Sequence, residues 1–405
     1  MYDAIIVGAR CGGAATAMLL ARRGHKVLLV DRAGFPSDIP QGHFVHRHGP
    51  RCLARWGLLE RVVASNCPAV DAIVSDFGDR VVTGDDLAVN GVALGYGPRR
   101  RVLDAILIEA AAEAGVEIRQ RFSVEGYLSE GDRITGIRGR DATTGVTVTE
   151  RASITVGADG RNSGLARAVR APSYAATPTL TLFYFSYWSG LRTHGLELYR
   201  REKCTLFIFP TNDNLHAIFA CWPIARLGEV RVDVDRALLA ALEELPDLGV
   251  RVRAGRREER WYGAADLPNF YRKPHGPGWA LVGDAGFHKD PYLALGVSDA
   301  FRDAELLAEA LSDGWSGQTP MDTALAGYEE RRNRASKDEY LYNLHLAANK
   351  PLPEEVARLR AAIQGNPPVT RQFFLANQGM IPRESFFNPQ NLQALIGEEG
   401  VRKTA

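Results

Sequence analysis

The chain has 405 residues, with 49 Lys plus Arg against 48 Asp plus Glu and a formal net charge of +1. That balance leaves no basic surface of the kind nucleic acid requires, while the length allows more than one domain with its own core. The apolar runs fall far short of a membrane span and the first strand has no basic segment before it, so a soluble, cytoplasmic protein with no membrane span is expected.

The segment "YDAIIVGARCGGAATAMLLARRGHKVLLVDR" opens the chain. Residues 4–7 are apolar without interruption, as in a strand covered on both faces. Small residues and helix formers fill 12–23, and Gly24 stands where such a helix would stop. Residues 26–30 form a second apolar run that ends on Asp31. Strand, glycine turn, helix and strand, with an acid at the end, is the βαβ unit of a dinucleotide site. In such a unit the acid accepts hydrogen bonds from ribose hydroxyls and the helix N-terminus takes the pyrophosphate. Arg10 occupies the place of the second glycine. Two readings stand: its guanidinium pairs with phosphate oxygens, or its side chain turns to solvent.

Beyond Asp31 a histidine-rich stretch leads to a short amphipathic helix carrying Leu53, Trp56, Leu58 and Leu59. Alternation between 70 and 98 ("AIVSDF", "DRVVTG") predicts antiparallel strands. A helix follows with Leu103, Ile106, Leu107 and Ala110 on one face, ending at Gly115. "VTVTERASITVGADG" predicts a strand that runs into an acidic turn at Asp159. Residues 171–275 read as mostly strands with one amphipathic helix at 234–245. From Pro291 the pattern is helical almost to the end, broken by "GWSGQTP" and "GNPP", and "YEERRNRASKDEYLYNLHL" alternates charge like an exposed helix face. The five cysteines, Cys11, Cys52, Cys67, Cys204 and Cys221, lack CxxC spacing and read as reduced thiols. His43, His46, His48 and His288 fit no ligand scheme that can be completed, so no metal is expected.

Two further motifs join the first. "VGADGRNS" places Asp159 and Gly160 at the end of an apolar strand, and "GWALVGDAGFHKDPYLALGVSDAF" places Gly283 and Asp284 at another. In order and spacing the three segments resemble the group A FAD-dependent monooxygenases, the p-hydroxybenzoate hydroxylase family, over most of residues 1–320. The resemblance implies an α/β fold: a Rossmann-like FAD-binding domain of that type (1–70, 98–170 and 276–320), an inserted β-sheet substrate domain (71–97 and 171–275) and a helical C-terminal region (321–405). It implies FAD as cofactor, bound by Gly8, Arg10, Gly12, Gly13, Asp31, Arg32, Arg47, Arg100, Asp159, Gly283, Asp284, Pro291 and Gly296. NADPH or NADH would be the reductant, with Asp159 bordering the donor path. Pro291, His43 and Tyr184 are the candidate catalytic residues.

The implied activity is hydroxylation or epoxidation of an apolar or aromatic small molecule by O2 through a flavin C4a-hydroperoxide, in natural-product biosynthesis. Against these roles, an acid at a strand end is often only a turn former, and Arg100 sits in an "RRR" that reads equally as a solvated cluster. The chain departs from the family at Phe287 and Leu293, and the WxWxIP motif of flavin halogenases is absent. The altered loop keeps open a geranylgeranyl reductase-like FAD enzyme or a flavin-bearing cyclase without net redox. A non-catalytic flavin-binding scaffold is the third reading. Phe183, Tyr184, Phe185, Tyr187, Trp188, Phe207, Phe209 and Phe219 alternate along strands, so one set would face a pocket and the other the core. They favour a flat or extended apolar substrate.

Overall fold

The computed structural model describes residues 1–38, 41–350 and 353–397. They fall into two compact units, one drawn from 1–43, 99–178 and 267–343, the other from 44–98, 179–266 and 344–397.

The first unit is built on a sheet in the order His275–Gly276, Trp279–Leu281, Thr147–Gly157, Tyr2–Val7, Val27–Val30, Glu117–Arg119, with the hairpin Phe122–Glu130 and Arg133–Asp141 attached to Thr147–Gly157. The four strand pairs from Trp279–Leu281 to Glu117–Arg119 are parallel. All of Ala4 to Ile6 and Val27 to Val30 is buried, which is why these strands read as unbroken apolar runs rather than alternating ones. The helix Cys11–Ala21 is buried at nearly every position and packs against the helices Arg100–Glu113 and Gly296–Ser316. Its Gly and Ala residues allow that approach from several sides.

A small sheet of Ser173–Thr177, Asn269–Arg272 and Phe287–His288 completes the unit. The helix Met321–Ala347 buries Tyr328, Arg332, Ser336, Tyr340 and Asn343 along one stripe at helical spacing. The charged tail is therefore not a wholly exposed face, since the Arg332 guanidinium donates to the carbonyls of Gly286 and Arg272, both at 3.1 Å.

In the second unit the sheet runs Arg256–Arg257, Thr181–Ser189, His216–Pro223, Thr205–Pro210, Leu196–Arg200, Ile73–Asp76, Val81–Gly84. One face carries Leu182, Trp188, Leu206, Ile208, Ile218 and Trp222, packed with Leu238, Leu242, Leu248 and Val252. Those last four lie on two helices, Val234–Glu243 and Pro246–Ala254, where the sequence predicts one. "GVRVR" alternates like a strand, yet Pro246 opens a helix and Leu245, Leu248 and Val252 bury a 3.6-period stripe. Residues 44–70, read from sequence with the first domain, cluster with this unit because Val45–His46 and Ala69–Val70 both pair with Gly95–Tyr96. Residues 344–397 cluster here too, as Phe374 of the helix Pro367–Asn377 covers the Gly84 end of the sheet.

Candidate functional site

In the first unit the parallel register brings three turns to one edge. Val7 pairs with both Val30 and Gly157, and Gly157 pairs with Leu281, so the chain leaves the sheet at Gly8, Asp31, Ala158 and Val282 side by side. The motifs singled out in the sequence thus share the carboxyl edge, where a doubly wound sheet takes its ligand.

Glycine is required at two of these positions. Gly8 has φ +105, and a Cβ there would lie 2.4 Å from the Ala158 carbonyl oxygen. A Cβ on Gly13 would lie 1.7 Å from the oxygen of Gly8, so the helix can meet the strand only without a side chain. Gly12 is different: a methyl there would make ordinary contact, at 3.8 Å, with both Gly283 Cα and Ala300 Cβ. The first and third turns are therefore neighbours, with the helix Gly296–Ser316 against both. No side chain caps the N-terminus of Cys11–Ala21 or of Gly296–Ser316. Their first-turn N–H groups and dipoles are the donors an anion would use.

The acids at this edge are held by backbone. Asp31 accepts from the Ala9 N–H through Oδ2 and the Ala33 N–H through Oδ1, both at 2.7 Å. Asp159 Oδ2 accepts from the Gly164 N–H at 2.7 Å, while Oδ1 is buried without a hydrogen-bond partner. Burial and then the Asp159 charge push the Tyr127 hydroxyl above its ordinary range. Gly283 and Asp284 form a single 3-10 turn, followed by a second at Pro291–Leu293. Asn343 fixes that second turn, its Nδ2 donating to the Asp290 carbonyl at 2.8 Å and its Oδ1 accepting from the Leu293 N–H at 3.0 Å. Asn269 Oδ1 accepts from the Asp290 N–H at 2.6 Å. Phe287 is buried in the same loop, ring to ring with Tyr271 at 4.5 Å.

Arg10 is tied to the protein itself rather than turned to solvent. Its Nη1 lies 2.6 Å from Asp104 Oδ2, its Nη2 donates to Ser37 Oγ at 3.1 Å, and the guanidinium sits over the Phe35 ring at 5.1 Å. Arg100 is buried rather than solvated and donates to the same Asp104 at 2.9 Å and to Gln41 Oε1 at 2.8 Å. Burial opposes the Arg100 charge, but Asp104 outweighs it and holds the guanidinium protonated. Burial, followed by the Arg100 and Arg99 charges, pushes the His43 imidazole down to about 3. Neutral at physiological pH, it has no imidazolium proton to give as an acid. Arg32 is exposed, and Gly296 opens its helix with nothing within 4 Å of a Cβ.

Two candidates belong to the second unit. Arg47 has a left-handed φ of 55 ahead of the helix Gly49–Arg55. Tyr184, expected beside a substrate, instead packs on the helix-covered face, edge to Trp222 at 6.5 Å. Strand alternation requires this, since Leu182 and Trp188 share its face. The opposite face carries Phe185 stacked on Phe219 at 4.4 Å and Phe219 on Phe209 at 5.6 Å.

Sequence reasoning missed Asp104, Asn343 and Lys289. Asp104 was signalled by its i,i+4 spacing from Arg100, whereas nothing local marks the other two. All five cysteines are buried and free. Among the described residues no group of three or more His, Cys, Asp or Glu could hold a metal ion, and no helix is long and apolar enough to cross a membrane.

A parallel sheet with a glycine turn, an acid-ended second strand and a Gly-Asp turn at one edge, joined to a separate antiparallel sheet, defines a Rossmann-like flavoprotein fold of the p-hydroxybenzoate hydroxylase type. The family profile described as FAD binding domain matches residues 1–339, and the chain belongs to that family. The glycine cradle, the uncapped helix ends and the orphaned Asp159 Oδ1 fit such a group. Kynurenine 3-monooxygenase of Salinispora arenicola is 27% identical over 390 residues, covering 88% of this chain and 81% of the relative. Digeranylgeranylglycerophospholipid reductase 1 of Methanococcoides burtonii is 25% identical over 359 residues, covering 85% and 82%. The solved myxobacterial chondrochloren halogenase CndH superposes with a TM-score of 0.78 at 20% identity, covering 100% of this chain and 95% of that one, a likeness of fold. The protein is a flavin oxidoreductase by family.

Proposed function

We propose that the protein is an FAD-dependent monooxygenase that uses NAD(P)H and O2 to hydroxylate or epoxidise an apolar or aromatic small molecule in natural-product biosynthesis. The observation that carries the reading is the meeting of three turns at one sheet edge. In this reading the N-terminus of Cys11–Ala21 takes the diphosphate, Asp31 the adenosine ribose, and Asp284 the flavin side. Asp159 borders the path of the reductant. The turn at Pro291 and the helix that opens at Gly296 lie along the flavin, where the helix dipole favours negative charge. Asn269 and Asn343 keep that turn in one conformation. FAD, when bound, supplies the electron and oxygen chemistry, and the chain orients substrate and excludes water. The stacked face of Phe185, Phe209 and Phe219 supports a flat apolar substrate.

A reductase is the second reading, favoured by the similarity to the archaeal lipid reductase and by the apolar Phe287 and Leu293 in the loop. The two separate with labelled oxygen. A polycyclic phenol and a polyprenyl lipid are offered to the FAD-loaded protein with NADPH under 18O2 and, separately, without oxygen. One 18O atom in the phenol supports the monooxygenase; loss of lipid double bonds without oxygen overturns it in favour of the reductase.

A further inference from the structure

Arg10 stands in the glycine turn, yet its side chain is spent on the segment that follows Asp31. We propose that Arg10 is a positioning residue, which holds Ala33–Asp38 as a wall beside the adenosine half of FAD instead of pairing with its diphosphate. This rests on the reading above, in which Asp31 and the glycine turn take that half.

The segment is tied down along its length. The Ala33 N–H donates to Asp31 Oδ1 at 2.7 Å, and the Ala33 carbonyl accepts from the Arg121 N–H at 3.0 Å. The Phe35 N–H donates to Gln120 Oε1 at 2.8 Å, and the Phe35 ring lies under the Arg10 guanidinium. Ser37 accepts from Arg10 Nη2 at 3.1 Å. Asp38 Oδ1 accepts from the Arg101 N–H at 2.9 Å and its Oδ2 from Arg99 at 2.5 Å. Arg10 joins the far end of the segment to the glycine turn, from which its own backbone springs. Asp104, with no exposed surface, fixes the guanidinium at 2.6 Å and leaves it little freedom to swing. Asp31 sits between the two ends, accepting from Ala9 in the turn and from Ala33 in the segment. A shift of the segment therefore moves the carboxylate that the ribose meets.

ADP, the adenosine diphosphate half alone, is the probe. Its dissociation constant is measured by calorimetry on the full-length, FAD-stripped protein for the parent, Arg10→Gln, Ser37→Ala, Phe35→Leu and the Arg10→Gln/Ser37→Ala double variant. A wall held by Arg10 predicts roughly tenfold weaker ADP binding in Arg10→Gln, on the scale of one lost charge-assisted contact, and a smaller loss of the same kind in Ser37→Ala and Phe35→Leu. The double variant should bind no more weakly than Arg10→Gln, because both changes release one segment. Ser37→Ala deletes a single hydroxyl, so it reports even where Arg10→Gln folds poorly. Weakening confined to Arg10→Gln, or fully additive losses, would mean direct contact with the diphosphate and overturn the proposal, as would parental affinity in every variant. A parent that binds neither ADP nor FAD removes the underlying reading itself.

Discussion

Lys289 Nζ lies 2.5 Å from Asp299 Oδ2, and the side chains are only 5% and 6% exposed. The pair ties the loop that leads into Pro291 to the first turn of the helix Gly296–Ser316. Arg302 also contacts Asp299 at 2.7 Å and Asp303 at 2.7 Å, so the charges form a buried network. Lys289→Met leaves Asp299 with one cation instead of two. Stability to urea should fall by about 3 kcal/mol, the low end for a broken buried pair because Arg302 remains. A midpoint equal to the parent's would show that the pair contributes nothing.

Asn343 makes two of the hydrogen bonds that hold the turn from Asp290 to Leu293. Replacing it with Leu keeps the volume and strands two backbone groups in a buried place. The expected cost is about 2–4 kcal/mol, read as a drop in the unfolding midpoint, and Asn343→Asp, which keeps the acceptor for Leu293 but sets a buried carboxylate oxygen against the Asp290 carbonyl, should lose at least as much. A parental midpoint in either variant would contradict the role given to the amide.

The two glycines of the "GG" pair should separate fold from cofactor. Gly13→Ala drives a methyl into the Gly8 carbonyl oxygen and should unfold or severely destabilise the protein with or without FAD. Gly12→Ala meets only ordinary contacts, so the FAD-free protein should melt near the parent temperature. Its methyl nevertheless fills the space between the first and third turns. FAD affinity, followed by flavin fluorescence, should fall by about tenfold or more if backbone approach matters there. Undiminished FAD affinity in Gly12→Ala would place the diphosphate elsewhere.

His43 gives a pH dependence whose sign is fixed. Its folded-state value, near 3, lies below the ordinary 6.5, so above about pH 6.5 neither state is protonated and the residue contributes no pH dependence. As pH falls from 6.5 towards 3, the unfolded chain takes up a proton that the folded chain refuses, and stability is lost, by roughly 5 kcal/mol at full extent. His43→Gln should flatten the urea-derived stability between pH 7 and pH 5 relative to the parent. His25, His216 and His275 are also shifted down, chiefly by burial, and retain a residual slope. An identical slope in the variant would rule out His43 as its source.

The βαβ unit, the three turn motifs and the division between a parallel sheet and an antiparallel one are legible in the order of residues alone. Each is written in local signals: an unbroken apolar run for a doubly covered strand, a glycine where a Cβ cannot fit, an alternating run for a half-covered strand. Tertiary structure decided the rest. Arg10 could be read as bound to phosphate or as solvated, because its partners Asp104 and Ser37 come from other parts of the chain. "GVRVR" alternates like a strand, yet it lies in a helix because Leu245, Leu248 and Val252 cover the sheet of the second unit. The charged run holding Arg332 read as a solvent face, although that guanidinium is buried and donates to the carbonyls of Gly286 and Arg272. Tyr184 and Phe185 were alike in sequence, and only the placing of two helices made one face of their strand a core. In every such case the local pattern is compatible with two environments, and the choice belongs to residues distant in the chain that satisfy a buried polar group or cover an apolar face.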